Sequence, residues 1–292
     1  MAEPNESVTN PASLWRHGDF LRLWAGHTIS QLGSQVTILA LPLTAILLFR
    51  ATPFQVGVLG TLEFLPFLLF GLPAGVWVDR LRRKPILVIA DVGRFLALGS
   101  IPLAYALDSL RLPQLYVVAF LTGIFTVLFD VAYGAYLPSL IDRRQLVDGN
   151  SKLEISRSGA QLVGPGLAGI LVEGLRAPMA ILADAASYVG SVLFLVAIRR
   201  SERPVEPPSG APPRMGTQIR EGIRYVLRHS LLRPIIICTA ALNFASGLIF
   251  AVLLLFAVRQ LGLSPGTIGI ALALGNAGFL GGAFVAARAP RR

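Results

Sequence analysis

The stretch Gly75-Val76-Trp77-Val78-Asp79-Arg80-Leu81-Arg82-Arg83-Lys84 places five charged residues within the six positions from Asp79 to Lys84. The apolar stretches on either side, residues 54–78 and 85–107, are each long enough to cross a bilayer, which takes about 20 residues in an α-helix. A charged turn therefore joins two predicted membrane-spanning helices. Because cations next to a membrane mark its cytoplasmic side, the turn also indicates orientation.

The composition agrees with a membrane protein. Of the 292 residues, 54% are apolar and 14% are charged, whereas a soluble domain is about half apolar and a quarter charged. The net charge of +10 lies in short loops and not on a basic face with aromatics, so nucleic acid is not an expected partner. The single cysteine, Cys238, excludes an internal disulfide and a cysteine-based metal cluster.

Eight apolar segments are predicted to span the bilayer, which makes the fold class an all-α membrane protein. They are residues 21–49, 54–78, 85–107, 113–138, 151–173, 177–198, 231–258 and 265–287. Between them, twenty Arg and Lys residues fall on the side of the amino terminus and only four on the other. This asymmetry predicts a multi-pass protein of the cell (inner or plasma) membrane with both termini in the cytoplasm.

The longest polar interval, residues 199–230, divides a six-span bundle (1–198) from a two-span segment (231–292). Its first part, residues 203–213, is rich in proline and predicts an extended linker. Residues 217–231 then show helical periodicity, with one apolar side and arginines every four positions. Two interpretations fit equally: an amphipathic helix on the inner membrane surface, or a solvated helix that continues into the next span.

Internal repeats indicate that the spans are duplicated. Residues 52–58 open the second span in the same way as residues 264–270 open the eighth, and a weaker similarity links residues 90–95 with residues 183–188. Three-plus-three repeats nested in a six-span half are typical of one large transporter class. Chance similarity between short apolar segments is the alternative explanation.

These motifs resemble those of the major facilitator superfamily. Gly75-x-x-x-Asp79-Arg80-x-x-Arg83-Lys84 resembles its signature loop, and Gly164-Pro165-Gly166-Leu167-Ala168-Gly169 is similar to the Gly-Pro motif of its drug/proton antiporters. Three stretches resemble the enterobactin-exporter and macrolide-efflux branch: residues 39–42, 184–188 and 221–228. The resemblance implies the major facilitator fold, with a complete N-terminal six-helix bundle and the first two helices of the C-terminal bundle.

Three features depart from the family pattern. Ser139 stands where members of this branch often carry an acid after span four, with Asp142 one turn later as a substitute. Ala286 stands where the second copy of the signature loop would carry its acid. The family pattern has twelve spans, so we expect a chain truncated after the eighth.

The signature loop is predicted to act as a conformational latch. Glycines at 71 and 75 would let two helix backbones approach closely. By the resemblance, Asp79 would interact with a helix N-terminus or with the loop cations, and the cations would pair with acids or lipid phosphates when the cytoplasmic side closes. The latch residues are Gly75, Asp79, Arg80, Arg83 and Lys84. The alternative is that these charges only set the topology.

Ionisable residues inside spans are costly and mark functional sites. Glu63, Asp130 and Arg157 lie on spans that border the central cavity in the resembling fold. Glu63 is the candidate for proton coupling, with a satisfied buried acid as the alternative, and Asp130 with Arg157 is the expected ion pair. By the same resemblance, Asp91, Arg94 and Asp184 on spans three and six lie outside the cavity, so a structural role is expected for them.

The function predicted from these features is efflux of a small amphipathic molecule, drug-like or siderophore-like, in exchange for protons by alternating access. The polar residues Gln31, Gln35, Gln161, Asn243 and Asn276 are either substrate anchors or helix-packing contacts. No nucleotide-binding loop, metal-ligand spacing or Ser/His/Asp arrangement is present, so we expect no enzyme, cofactor or metal, and no protein partner is evident. The alternative is a truncated fragment that does not transport. A membrane-bound sensor or partner subunit has no soluble domain to support it.

Overall fold

The computed structural model of the chain describes residues 14–200, 202 and 215–288. Within them it contains nine α-helices: α1 (Gly18–Leu48), α2 (Pro53–Arg80), α3 (Arg83–Ala106), α4 (Leu112–Leu140), α5 (Leu146–Leu175), α6 (Ala177–Ala197), α7 (Met215–Arg228), α8 (Leu232–Arg259) and α9 (Pro265–Arg288). Each of the eight predicted spans is a helix. The predicted linker at residues 203–213 lies outside the described residues, as do residues 1–13 and 289–292.

Six helices in the described part of the chain are long and apolar enough to cross a membrane, namely α1, α2, α3, α4, α6 and α8. The other two predicted spans, α5 and α9, form continuous helices of 30 and 24 residues. The first turns of α5 carry polar and charged side chains, among them Asp148, Lys152 and Glu154. That α5 and α9 cross the bilayer therefore stays a prediction.

The repeated sequence at residues 52–58 and 264–270 starts two helices in the same way. Thr52 accepts a hydrogen bond from the amide of Gln55, whose side chain accepts one from the Thr52 amide, so a capping box opens α2. Ser264 accepts a hydrogen bond from the amide of Thr267 at the start of α9. In both helices a proline follows the cap at the first helical position, where its missing N–H has no helical partner to lose.

The first six helices form one bundle. Helix α1 packs against α5 and α6, α3 packs against α4 and α6, and α2 packs against α4. Leu39, Leu98 and Ile181 belong to one apolar cluster, and Phe20, Leu87 and Tyr136 belong to a second. Helix α9 packs against α5, whereas most of α8 is exposed. The bundle thus brings the interior faces of α1, α3, α4 and α6 together.

Candidate functional site

Helices α1, α4 and α5 bring together four polar side chains that we call the inner polar group: His27, Asp130, Tyr133 and Arg157. The rings of His27 and Tyr133 stack with their centroids 4.4 Å apart. Arg157 interacts electrostatically with both Asp130 and His27. Asp130 and Arg157 are exposed in the structure, so the group combines opposite charges and aromatic surface at an accessible position within the helical bundle.

The expected ion pair between Asp130 and Arg157 is not formed at contact distance, since the described residues contain no salt bridge between them. Asp130 also interacts electrostatically with Arg94 from α3, so two arginines on different helices share this carboxylate. The sequence did not predict this contact, because the position of a residue along its own helix does not show that Arg94 on α3 lies near Asp130.

Glu63 lies half-buried on α2, next to α4. The two helices are closest here, because a Cβ atom added to Gly123 would lie 2.5 Å from the carbonyl oxygen of Glu63. The charge of Glu63 interacts with that of Asp184 on α6. Glu63 therefore lies within electrostatic reach of a second buried acid, and its role in proton coupling stays a prediction.

The three charges on α3 and α6 are buried. Asp91, Arg94 and Asp184 are 0%, 4% and 1% exposed. Arg94 forms an ion pair with Asp91, and its guanidinium carbon lies 4.3 Å from the ring centroids of both Phe129 and Tyr188. Cation–π attraction from two aromatic faces stabilises a desolvated guanidinium. The similar segments 90–95 and 183–188 thus meet inside the bundle.

Asp184 is at the centre of the contact between α1 and α6. Thr37 on α1 donates a hydrogen bond to Oδ2 of Asp184, and the hydroxyls of Ser34 and Tyr188 lie 2.9 Å apart. A Cβ atom added to Gly33 would lie 2.7 Å from Oδ1 of Asp184, so only glycine permits this approach. Sequence reasoning missed these α1 residues.

The signal that could have revealed the α1 face is a row of small residues. Gly26, Ser30, Gly33 and Thr37 recur every three or four positions, which places them on one helix face. Small residues in such a row allow helix backbones to pack closely in a membrane. His27 lies one turn before Gln31 on the same helix, and the two side chains are 3.4 Å apart.

The signature loop is bound to the chain beyond α6. The carboxylate of Glu202 accepts hydrogen bonds from the backbone amide of Arg83 at 2.8 Å and of Lys84 at 3.3 Å, and it lies 3.4 Å from the Arg83 guanidinium. Lys84 Nζ donates to the carbonyls of Val196 and Ile198 at the end of α6. A carboxylate at the N-terminus of α3 and a cation at the C-terminus of α6 both complement the helix dipoles.

Two expectations about this loop are wrong. No atom among the described residues lies within 4 Å of a Cβ atom added to Gly71 or Gly75, so these glycines do not mark a close helix contact. The close approach of α2 to α4 occurs at Gly123 instead. Asp142 does not replace the missing acid after span four, because it is exposed and Glu202 pairs with Arg83. Asp79 is also exposed.

A second acid completes the connection at this end of the bundle. Asp19 at the start of α1 accepts hydrogen bonds from the backbone amides of Arg199 at 3.1 Å and Arg200 at 2.9 Å. The Arg200 side chain donates to the carbonyl of Leu140, the last residue of α4, at 2.9 Å. The chain leaving α6 is therefore held by α1, α3 and α4.

The Gly-Pro motif lies at helix contacts. A Cβ atom on Gly164 would lie 2.5 Å from Cβ of Gln35 on α1, and one on Gly169 would lie 2.6 Å from the Pro265 carbonyl of α9. Gly269 of α9 faces the same crossing, because a Cβ atom added to it would lie 2.3 Å from the carbonyl oxygen of Pro165 and 2.8 Å from Cα of Gly169. Only residues without a side chain permit this spacing.

Polar contacts extend along the α5–α9 crossing. Glu173 accepts hydrogen bonds from the Gly266 amide at 2.8 Å and the Ser264 hydroxyl at 3.0 Å, which caps the N-terminus of α9. Asn276 donates to the carbonyl of Gln161 at 2.7 Å. The packing interpretation therefore fits Asn276, whose amide contacts backbone.

Membrane-length helices that enclose ionisable groups define a polytopic membrane protein. Comparison with known families narrows the class: the chain belongs to the Major Facilitator Superfamily, which matches residues 23–292. The family consists of transporters of small molecules.

Several relatives are about a quarter identical to the chain over the residues that align. Macrolide efflux protein A of Streptococcus pyogenes is 28% identical over 72% of this chain and 51% of its own length. Multidrug efflux pump Tap of Mycolicibacterium fortuitum is 26% identical over 70% of this chain and 51% of its own length. The uncharacterized MFS-type transporter YfiS of Bacillus subtilis is 27% identical over 73% of this chain and 50% of its own length. The chain spans about half the length of these relatives.

Proposed function

We propose that the chain acts in the efflux of a small amphipathic molecule by alternating access. The observation that carries this proposal is the inner polar group, in which Asp130 and Arg157 are exposed charges within a bundle of apolar helices. Charges at membrane depth mark substrate and ion pathways. The stacked rings of His27 and Tyr133 offer apolar surface beside them, which suits a drug-like or siderophore-like substrate. The names of two relatives, a macrolide and a multidrug efflux protein, support this substrate class.

Proton exchange is the proposed energy source, with Glu63 as the group that binds the proton. A half-buried carboxyl on a cavity-type helix can change charge as the site opens and closes. The signature loop, including Asp79 and Arg80, is proposed as the latch of the closed state. Arg83 and Lys84 serve that latch through Glu202 and the end of α6.

The proposed orientation follows the distribution of arginine and lysine. Twenty of these residues lie on the side of the amino terminus, so we place this side in the cytoplasm and the protein in the inner or plasma membrane. Three units are proposed: the bundle 1–198, the linker and amphipathic helix 199–230, and the partial second bundle 231–292.

A second candidate function is supported by the exposed surface of α8. Most of its side chains are exposed, among them Ile235, Leu242 and Leu248, and its buried contacts with the first bundle are confined to its last turns, around Leu254, Leu255 and Ala257. Alternating access requires two bundles that rock around one site. The second candidate is therefore a transport-incompetent form of such a transporter.

Transport by the chain in a host that lacks its own drug pumps separates the two candidates. We expect expression to lower the accumulation of ethidium and of erythromycin, and a protonophore to abolish the difference. Glu63→Gln should lose the effect, whereas Asp108→Asn, a matched change of an exposed acid at the end of α3, should retain it. Unchanged accumulation of both probes at verified expression would contradict efflux and favour the transport-incompetent form.

A further inference from the structure

Asp184 differs from the other buried acids because hydroxyl groups surround its carboxyl. Thr37 Oγ1 donates to Oδ2, and Ser187 Oγ lies 3.2 Å from Oδ1. Among the described residues Asp184 has no salt bridge, since Arg94 pairs with Asp91. A carboxylate without a cation at contact distance is costly to bury, and such a group usually takes up a proton.

The hydrogen bonds around Asp184 suit a neutral carboxylic acid. The hydroxyl of Ser187 has one proton to donate, and the Asp184 main-chain carbonyl is its nearer acceptor, at 2.7 Å compared with 3.2 Å for Oδ1. If the Ser187 proton goes to the main-chain carbonyl, the contact between Ser187 Oγ and Asp184 Oδ1 is a hydrogen bond only when Oδ1 carries a proton and donates it to Ser187 Oγ. Thr37 supplies a donor for the other oxygen. Every polar atom of the neutral acid therefore has a partner.

The charges around Asp184 leave acids in excess of cations. The cluster contains Glu63, Asp91, Asp130 and Asp184 as acids, with Arg94 and Arg157 as cations. The charged and titratable groups that face Asp184 are Asp91 and Arg94 on α3, Glu63 on α2 and Tyr188 on α6. On α1 the nearest groups, Thr37 and Ser34, are uncharged, and His27 interacts with Arg94 and Arg157. Two bound protons, one on Glu63 and one on Asp184, balance the four acids against the two arginines.

A second buried acid of the same cluster, Asp91, also has a hydroxyl group beside it. Its side chain interacts with that of Ser191, and both residues are at most 1% exposed. Asp91 differs from Asp184 because it has a cation, Arg94, at contact distance.

We propose that Asp184 is a second proton-binding site of the transporter, located between α1 and α6 and outside the inner polar group. The proton is bound as the O–H of the Asp184 carboxyl while α1 and α6 are in contact. When the helices separate, water enters, that O–H bond breaks, and the proton passes to water while the carboxylate becomes hydrated. This inference rests on the proposed function, because it assigns the coupling ion to a particular residue.

Infrared spectroscopy of the purified chain in lipid vesicles tests the site without transport. The carbonyl stretch of a protonated carboxyl is separate from that of a carboxylate, so a pH titration reports each acid. We expect a protonated-carboxyl band that Asp184→Asn removes and that the control Asp108→Asn leaves unchanged. Thr37→Val retains the acid but removes its donor, so it should shift the frequency and midpoint of the band. The shift tests the site even if Asp184→Asn fails to fold.

The opposite spectroscopic results would overturn the proposal. A protonated-carboxyl region that Asp184→Asn leaves unchanged, with every band in it removed by Glu63→Gln, shows that Asp184 does not hold a proton. A Thr37→Val spectrum identical to that of the unaltered protein shows that the hydrogen bond from Thr37 does not affect the protonated carboxyl.

Flux in proteoliposomes tests the coupling role. Asn resembles the protonated acid, so Asp184→Asn should retain exchange of ethidium without a gradient and lose the acceleration that a pH gradient gives to the unaltered protein. Coupling that persists in Asp184→Asn, or acceleration by a sodium gradient alone, would overturn the assignment. If the unaltered protein does not move ethidium at all, the efflux proposal fails, and the infrared spectrum still decides whether Asp184 binds the proton.

Discussion

Single residues hold the contacts at the end of the bundle where the signature loop lies, and Glu202 is the clearest case. Its side chain, 5% exposed, accepts hydrogen bonds from two backbone amides at the start of α3. No local pattern reveals this partnership, since Glu202 and Arg83 are 119 positions apart. The sequence predicted that the loop arginines need an acid, but not which acid.

Glu202→Gln should lower the free energy of unfolding in detergent by about 1 kcal/mol, because the amide lacks the negative charge that complements the N-terminus of α3 and pairs with Arg83. The exposed acid Asp142 provides the comparison, and Asp142→Asn should leave the unfolding temperature unchanged. Thermal unfolding followed by circular dichroism measures both. A larger effect from Asp142→Asn would restore the pairing that the family resemblance implied.

At Arg94, a positive charge alone is not expected to keep the bundle stable. Arg94→Lys retains the positive charge but loses the flat guanidinium that contacts Phe129 and Tyr188. We expect a loss of about 2 kcal/mol in stability, measured by unfolding in detergent. Arg82→Lys, an exposed change in the neighbouring turn, should have no measurable effect. Equal stability of the two variants would contradict the stacking.

At the scale of helices, the sequence predicted most of the fold. Apolar length located all eight long helices, with the largest error, five residues, at the start of α5. There a short helical turn at Arg143–Gln145 leads directly into polar turns of α5 that carry no apolar signal. Periodicity does not determine which helix faces which, so the expected helix contact at Gly71 and Gly75 was wrong and the one at Gly169 and Gly269 was not anticipated.

The α5–α9 contact can be tested by cross-linking. Cβ of Ala273 lies 3.7 Å from the position of a Cβ on Gly166, which is the separation found in disulfides. In a Cys238→Ser background, Gly166→Cys with Ala273→Cys should form a disulfide under mild oxidation, detected by mobility in a denaturing gel after cleavage between the helices. Gly159→Cys with Ala273→Cys is the control and should remain reduced, because within the described part of the chain no atom lies within 4 Å of a Cβ on Gly159.

Side-chain size at the same crossing provides a further test. Gly169→Leu should force α5 and α9 apart, because even a Cβ atom would lie 2.6 Å from the Pro265 carbonyl. The result should be a loss of the disulfide between residues 166 and 273. Gly174→Leu, five residues farther along α5, should retain the disulfide, because no atom of the described residues lies within 4 Å of a Cβ on Gly174. Cross-linking that survives Gly169→Leu would contradict the packing.

At the scale of the molecule, orientation is the main prediction that sequence alone carries. In a Cys238→Ser background with intact cells, an impermeant maleimide should label Asp108→Cys and Arg176→Cys, which lie in loops on the predicted outer side. Arg82→Cys and Arg143→Cys should be labelled only after the cells are opened, because the arginine-rich loops lie in the cytoplasm. The reverse labelling pattern would invert the topology.

The way the chain leaves the first bundle has a mechanical consequence. Because Asp19, Leu140 and the start of α3 all bind the residues that follow α6, tension on the chain beyond Glu202 is shared among four helices. We therefore expect the six helices to move together under such tension, with α6 staying packed against its neighbours. Movement of the later helices would then tilt the whole six-helix unit about the edge that holds Asp19 and Glu202.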